Sequence, residues 1–171
     1  MRFSIAGFGA LIALLCMSAL AQLAPVDPDW RETEAPPPPA LKLQGVLPLE
    51  MPGSDLRFGV QPDSISIGPD GIVRYVVIAT SSTGAVNAMY EGLRCSSGDF
   101  KVYARHNPDS GWVATRDLQW RSLHDQPASR HSLTFARTGA CIGRGTNISA
   151  QRIIGDLKAP VDTRFRPEMQ R

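Results

Sequence analysis

Between Leu56 and Ala114 the chain alternates short apolar stretches, rich in β-branched and aromatic residues, with clusters of turn residues. Leu56 to Val60 and Ser64 to Ile67 read as strands, and Gly68-Pro69-Asp70-Gly71 is a strong turn signal. Ile72 to Thr80 carries such residues on both faces, the pattern of a central strand. Ser81-Ser82-Thr83-Gly84 then reverses the chain, and Ala85 to Cys95 runs back as a hairpin partner. Phe100 to Arg105 adds a strand, and Asn107 to Gly111 turns into Trp112-Val113-Ala114. The period changes after this point. Ser129 is placed to cap a helix through Leu133, Ala136 and Arg137 that ends at Gly139, and Ser149 to cap a second through Ile153, Ile154 and Leu157, which Pro160 stops. Strands followed by helices predict an α+β domain, an antiparallel β-meander with one or two C-terminal helices, over residues 56–158.

The first 55 residues lack this patterning. Residues 1–21 begin with Arg2, continue as an apolar run from Ile5 to Cys16 and close on Ala19-Leu20-Ala21, the order of a cleavable signal peptide. The run is too short for a transmembrane anchor, which needs about 20 apolar residues. Cys16 raises the rival reading of a lipoprotein, but bulky Leu15 before it fits that processing poorly, so cleavage after Ala21 is expected. Residues 22–55 hold Pro25, Pro28, the run Pro36 to Pro39, Pro48 and Pro52. Consecutive prolines favour an extended polyproline arm, a spacer or a docking segment for an aromatic groove, with Trp30 as its anchor to the domain. Residues 159–171 read as a frayed tail.

Composition adds mainly a compartment. Removing residues 1–21 leaves 150 residues, enough for one domain with a real core, carrying 17 Lys plus Arg against 16 Asp plus Glu. With charges of both signs interspersed, nucleic acid is not an expected partner. Cys16 leaves with the signal, and Cys95 and Cys141 then form an even pair in an oxidising compartment. No C-x-x-C spacing or neighbouring His suggests a redox or metal role, so a structural disulfide is expected.

The run Asp70-Gly71-Ile72-Val73-Arg74-Tyr75, then Ser82-Thr83-Gly84-Ala85-Val86-Asn87, Tyr90-Glu91-Gly92-Leu93-Arg94-Cys95, Tyr103-Ala104, Trp112 and Trp120 resembles the cryptic neisserial protein one-like family. Those are exported proteins of Gram-negative bacteria whose common domain has no established activity. The resemblance implies a periplasmic location and brings no catalytic residues with it.

Few residues suggest chemistry. Glu91 is a carboxylate in a strand that otherwise reads as buried. If the hairpin closes symmetrically about Thr83 and Gly84, position 76 faces 91 and position 74 faces 93, which places Arg74 diagonal to Glu91 on one face. A structural ion pair of Arg74 with Glu91 is the expectation, and a lone general acid its competitor. No second carboxylate is clearly placed for glycoside hydrolysis. His106, His124 and His131 lack metal-ligand spacing, and no nucleotide or nucleophile-elbow motif is present, so neither metal nor cofactor is expected. Tyr90, Tyr103, Trp112 and Trp120 are candidates for ligand contact, although such residues more often fill a β-domain core. The first expectation is therefore a non-enzymatic accessory or binding domain of the bacterial envelope, its partner an envelope protein or a glycan. The alternative is a periplasmic hydrolase acting on envelope polymers through Glu91.

Overall fold

A computed structural model of the chain describes residues 28–124 and 130–159. The expected signal segment, the Ser129 cap and residues 160–171 lie outside the described residues.

Six antiparallel strands follow one another in sequence order: β1 (Leu47–Leu49), β2 (Arg57–Ile67), β3 (Val73–Thr80), β4 (Val86–Arg94), β5 (Asp99–Asn107) and β6 (Gly111–Ala114). A two-residue strand, β7 (Arg121–Ser122), pairs with the start of β5. The expected meander is thus present, and β3, the most apolar strand, lies at its centre with Val73 to Ala79 buried on both faces. Between β2 and β3, Gly71 takes a left-handed φ of 75°, a conformation that glycine adopts without steric cost. Within β2 the ladder slips between Gln61 and Ser66, around Pro62, which has no N–H to give. Ser64 spans the slip: its hydroxyl donates to Gln61 O at 2.6 Å and accepts from the Val76 amide at 2.8 Å.

The two faces of the sheet are covered differently. On one face lie α1 (Arg130–Phe135), an irregular turn over Ala136–Ala140 and α2 (Ala150–Lys158). Phe135, Ala140, Ile153 and Leu157 pack there against Val60, Val73, Tyr75, Val77, Leu93 and Phe100. Burying a Val, Leu or Phe side chain contributes about 1.5–3 kcal/mol. Ser149 caps α2 as expected, its hydroxyl accepting from the Arg152 amide. A small hairpin, β8 (Cys141–Ile142) with β9 (Gly145–Thr146), follows α1. There Cys141 is joined to Cys95 at the end of β4, with Cα atoms 5.6 Å apart.

The opposite face is covered by the proline-rich segment itself. Leu41 and Val46 pack on Val76, Ile78, Ala88, Tyr90 and Ala104, and residues 47–49 of the expected arm are strand β1. Buried Gln61 accepts from the Lys42 amide and donates to Ala40 O. From Trp30 to Leu49 the arm is a layer of the fold rather than a free spacer, because it covers the apolar second face of β3 and β4. Among the described residues, no helix is long and apolar enough to cross a membrane.

Candidate functional site

The expected pair of Arg74 and Glu91 does not form. Tyr75, not Arg74, faces Glu91 across the β3–β4 ladder, and Arg74 faces Gly92. Successive side chains on a strand point to opposite faces, so the one-residue difference in register sends Arg74 to the arm face and Glu91 to the helix face. Each finds other partners.

Arg74 grips Asp70 with both terminal guanidinium nitrogens, at 2.7 and 3.2 Å, and donates to Thr33 O at 3.0 Å. Asp70 also accepts from the Thr33 amide and hydroxyl, so the pair clamps the arm to the β2–β3 turn. Burial pushes the Asp70 carboxyl up, but hydrogen bonds from Arg74 and Thr33 outweigh it and hold the group far below the usual carboxylate range. Trp30 anchors the arm beside it. Its indole donates to Asp70 O at 2.9 Å, and Arg94 lies over its ring at 3.6 Å. Glu32 completes the attachment by accepting from Lys101, from Tyr103 at 2.8 Å and from Trp120 at 3.1 Å. Gly92 sits beneath Tyr103, where a Cβ would come within 2.6–3.0 Å of the ring.

The four aromatic candidates belong to this layer. Tyr90 is buried and packs on Tyr103 with ring centroids 5.5 Å apart. Tyr103 and Trp120 give their polar atoms to Glu32, and Trp112 donates to Pro39 O at 2.8 Å. They bind the chain's own arm.

Glu91 is fully buried against α1. Its Oε2 accepts from the Tyr75 hydroxyl at 2.6 Å and the Ser132 hydroxyl at 3.0 Å, and its Oε1 lies 2.8 Å from Nε2 of His131. Facing an acceptor, Nε2 carries the proton. Burial, then the charge and hydrogen bond of Glu91, push the Tyr75 phenol well above its usual value, so it stays a donor at any working pH. The His131 ring stacks on Phe58 with centroids 5.2 Å apart.

A cavity of about 450 Å³ opens beside this cluster. Glu91 and His131 lie at its inner end, Met89, Phe100, Val102 and Val113 give it apolar walls, and the exposed side chains of Arg105, Arg116 and Arg121 stand at its mouth. A local irregularity shapes it. The β4–β5 register jumps between Tyr90 and Glu91, leaving Tyr103 as an extra residue of β5. Beyond it the sheet edge is interrupted: β6 ends at Ala114, Thr115 caps Val102 O and Tyr103 O through its hydroxyl, and the chain rejoins β5 only at Arg121.

The family profile that matches the chain, over residues 26–158, is that of the CNP1-like family. The chain belongs to this family. The match takes in the arm, the sheet and both helices, so everything described above lies within the family's domain. No curated protein and no solved structure gives a significant match.

The sequence did not point to Tyr75, Ser132 or His131 as partners of Glu91, nor to Glu32. Tyr75, a phenol in the fully buried run Val73 to Ala79, is a local signal, since a buried phenol needs an acceptor. The histidines are not gathered: His106 packs edge-on to Trp112, His124 is exposed, and His131 serves Glu91. Among the described residues, no three His, Cys, Asp or Glu are placed to hold a metal ion.

Proposed function

We propose that this chain is an exported, non-enzymatic binding domain of the bacterial envelope, and that the cavity beside Glu91 receives its ligand. The observation carrying the reading is the engagement of Glu91 by three donors of its own fold. A general acid has to reach the group that it protonates, and this carboxylate is enclosed by Tyr75, Ser132 and His131. Asp117, the second carboxylate lining the cavity, is occupied by Arg121. Ser132 is fully buried and directed at Glu91, which removes it as a nucleophile. The cavity itself has the shape that a binding site needs, apolar walls with a few convergent polar groups.

Export to the periplasm is supported by the charge, apolar run and small residues of positions 1–21, by the resemblance to exported proteins, and by a disulfide of the kind that persists in oxidising compartments. Osmotic-shock fractionation should release the chain, with its N-terminus at Gln22. The protein incubated with a periplasmic small-molecule extract should hold a ligand that mass spectrometry recovers unchanged. Filling the cavity with Val113→Trp should abolish retention. A ligand recovered cleaved, with cleavage lost in Glu91→Gln, would instead establish the hydrolase.

A further inference from the structure

The charges around the cavity do not balance. Lys101 is committed to Glu32 and Arg121 to Asp117. Glu91, at the inner end, already accepts from three donors. Arg105 and Arg116 remain, and among the described residues no carboxylate pairs with either. Arg105 leans with Nη1 on the Met89 sulfur at 2.9 Å, a weak acceptor that a better one would displace. Two uncompensated guanidiniums thus stand at the mouth of a cavity walled by Met89, Phe100, Val102 and Val113, in a chain whose overall charge is close to zero.

On the reading that this cavity is a binding site, we infer that its ligand is a small organic anion with an apolar body, such as a medium-chain carboxylate. The walls take the hydrocarbon, and Arg105 and Arg116 take the carboxylate, which matches the guanidinium fork. Glu91 fixes the direction of entry. A carboxylate pushed to the inner end would meet a second carboxylate in a water-poor setting, so the anionic head stays at the mouth and the hydrocarbon points inward. Cationic ligands of the same shape are rejected by the same two arginines.

The probe is decanoate, kept below its micelle concentration and titrated into amide-labelled protein, with 1-decanol and decyltrimethylammonium as neutral and cationic counterparts. Decanoate should shift the amide signals of Val102 and Val113 and bind more tightly than decanol, and decyltrimethylammonium should bind weakest. Arg105→Gln and Arg116→Gln, both at exposed positions, should keep the wild-type melting temperature and weaken decanoate roughly tenfold each, leaving decanol unchanged. Equal decanoate affinity in the variants and the wild type would overturn the inference. If decanol still binds in that case and Val113→Trp blocks it, the binding-site reading survives alone; if none of the three probes binds, both readings fall. Sedimentation with phosphatidylglycerol vesicles through Arg105 and Arg116 would also overturn the inference, because the arginines would then read a membrane surface.

Discussion

Tyr75 stands directly opposite Glu91 across β3 and β4, and its hydroxyl donates to the carboxylate at 2.6 Å. With Ser132 and His131 it completes a polar cluster joining the sheet to α1, in which Glu91 is the shared partner, so that losing its carboxylate leaves the other three buried without one. Glu91→Gln turns an acceptor oxygen into a donor facing donors, and it should cost about 1–3 kcal/mol in urea unfolding. Tyr75→Phe should cost about 1 kcal/mol, and the double variant should differ from the sum by at least about 0.5 kcal/mol. Unchanged stability in Glu91→Gln would show that the cluster contributes nothing.

Arg74 behaves as a separate unit. Its salt bridge with Asp70 is enclosed, with side-chain exposures of 2% and 0%, so Arg74→Met abandons a buried carboxylate at an expected cost of about 3–5 kcal/mol. Arg74→Met and Asp70→Asn should couple strongly in a double-mutant cycle. Arg74→Met and Glu91→Gln should be additive, because the two side chains lie on opposite faces of the sheet. Strong coupling between the second pair would contradict the register described above.

The same pair sets an acid limit. Unfolded Asp70 takes up a proton near its ordinary value of 3.8, whereas in the fold Arg74 and Thr33 hold the carboxyl far lower. Its stabilisation is therefore complete above about pH 4 and is lost as the pH falls below that value, where the unfolded state binds more protons. Glu32, also lowered, acts in the same direction. Stability should decline steeply below pH 4, and Asp70→Asn should start lower but fall less. Parallel wild-type and variant curves would exclude Asp70 as the cause.

The disulfide encloses a separation of 46 residues that includes β5, β6 and α1. Cys95→Ser with Cys141→Ser should cost up to about 4 kcal/mol on the chain-entropy argument, read as a lower melting temperature that dithiothreitol no longer affects. A wild-type melting temperature indifferent to reductant would count against this role.

Local chemistry made much of the fold legible. The Gly68 to Gly71 turn, the doubly apolar β3, the Ser149 cap and the cysteine pair each carry their signal within a few residues. Register was not legible: the loop from Ser81 to Ala85 closes with the Ser81 amide on Ala85 O and pairs Thr80 with Val86, which differs by one residue from closure about Thr83 and Gly84. That single step exchanged the partners of Arg74 and Glu91. The site was still less legible, since His131 lies 40 residues from Glu91 and Glu32 lies 69 from Lys101, and no periodicity spans such gaps. The prolines in the arm hid its role for a related reason. They exclude helix and interior strand, but they do not prevent an extended segment from lying across an apolar face.

The docked arm imposes an order on folding. Thr33 meets Asp70 across 37 residues and Glu32 meets Trp120 across 88, so this part of the arm can settle only once the β2–β3 turn and the segment before β7 are in place. Contacts that distant close slowly. Until Leu41 and Val46 have docked with the rest of the arm, Val76, Ile78, Ala88 and Tyr90 present a bare apolar surface to other chains. The nascent protein thus passes through an interval in which it is exposed to aggregation.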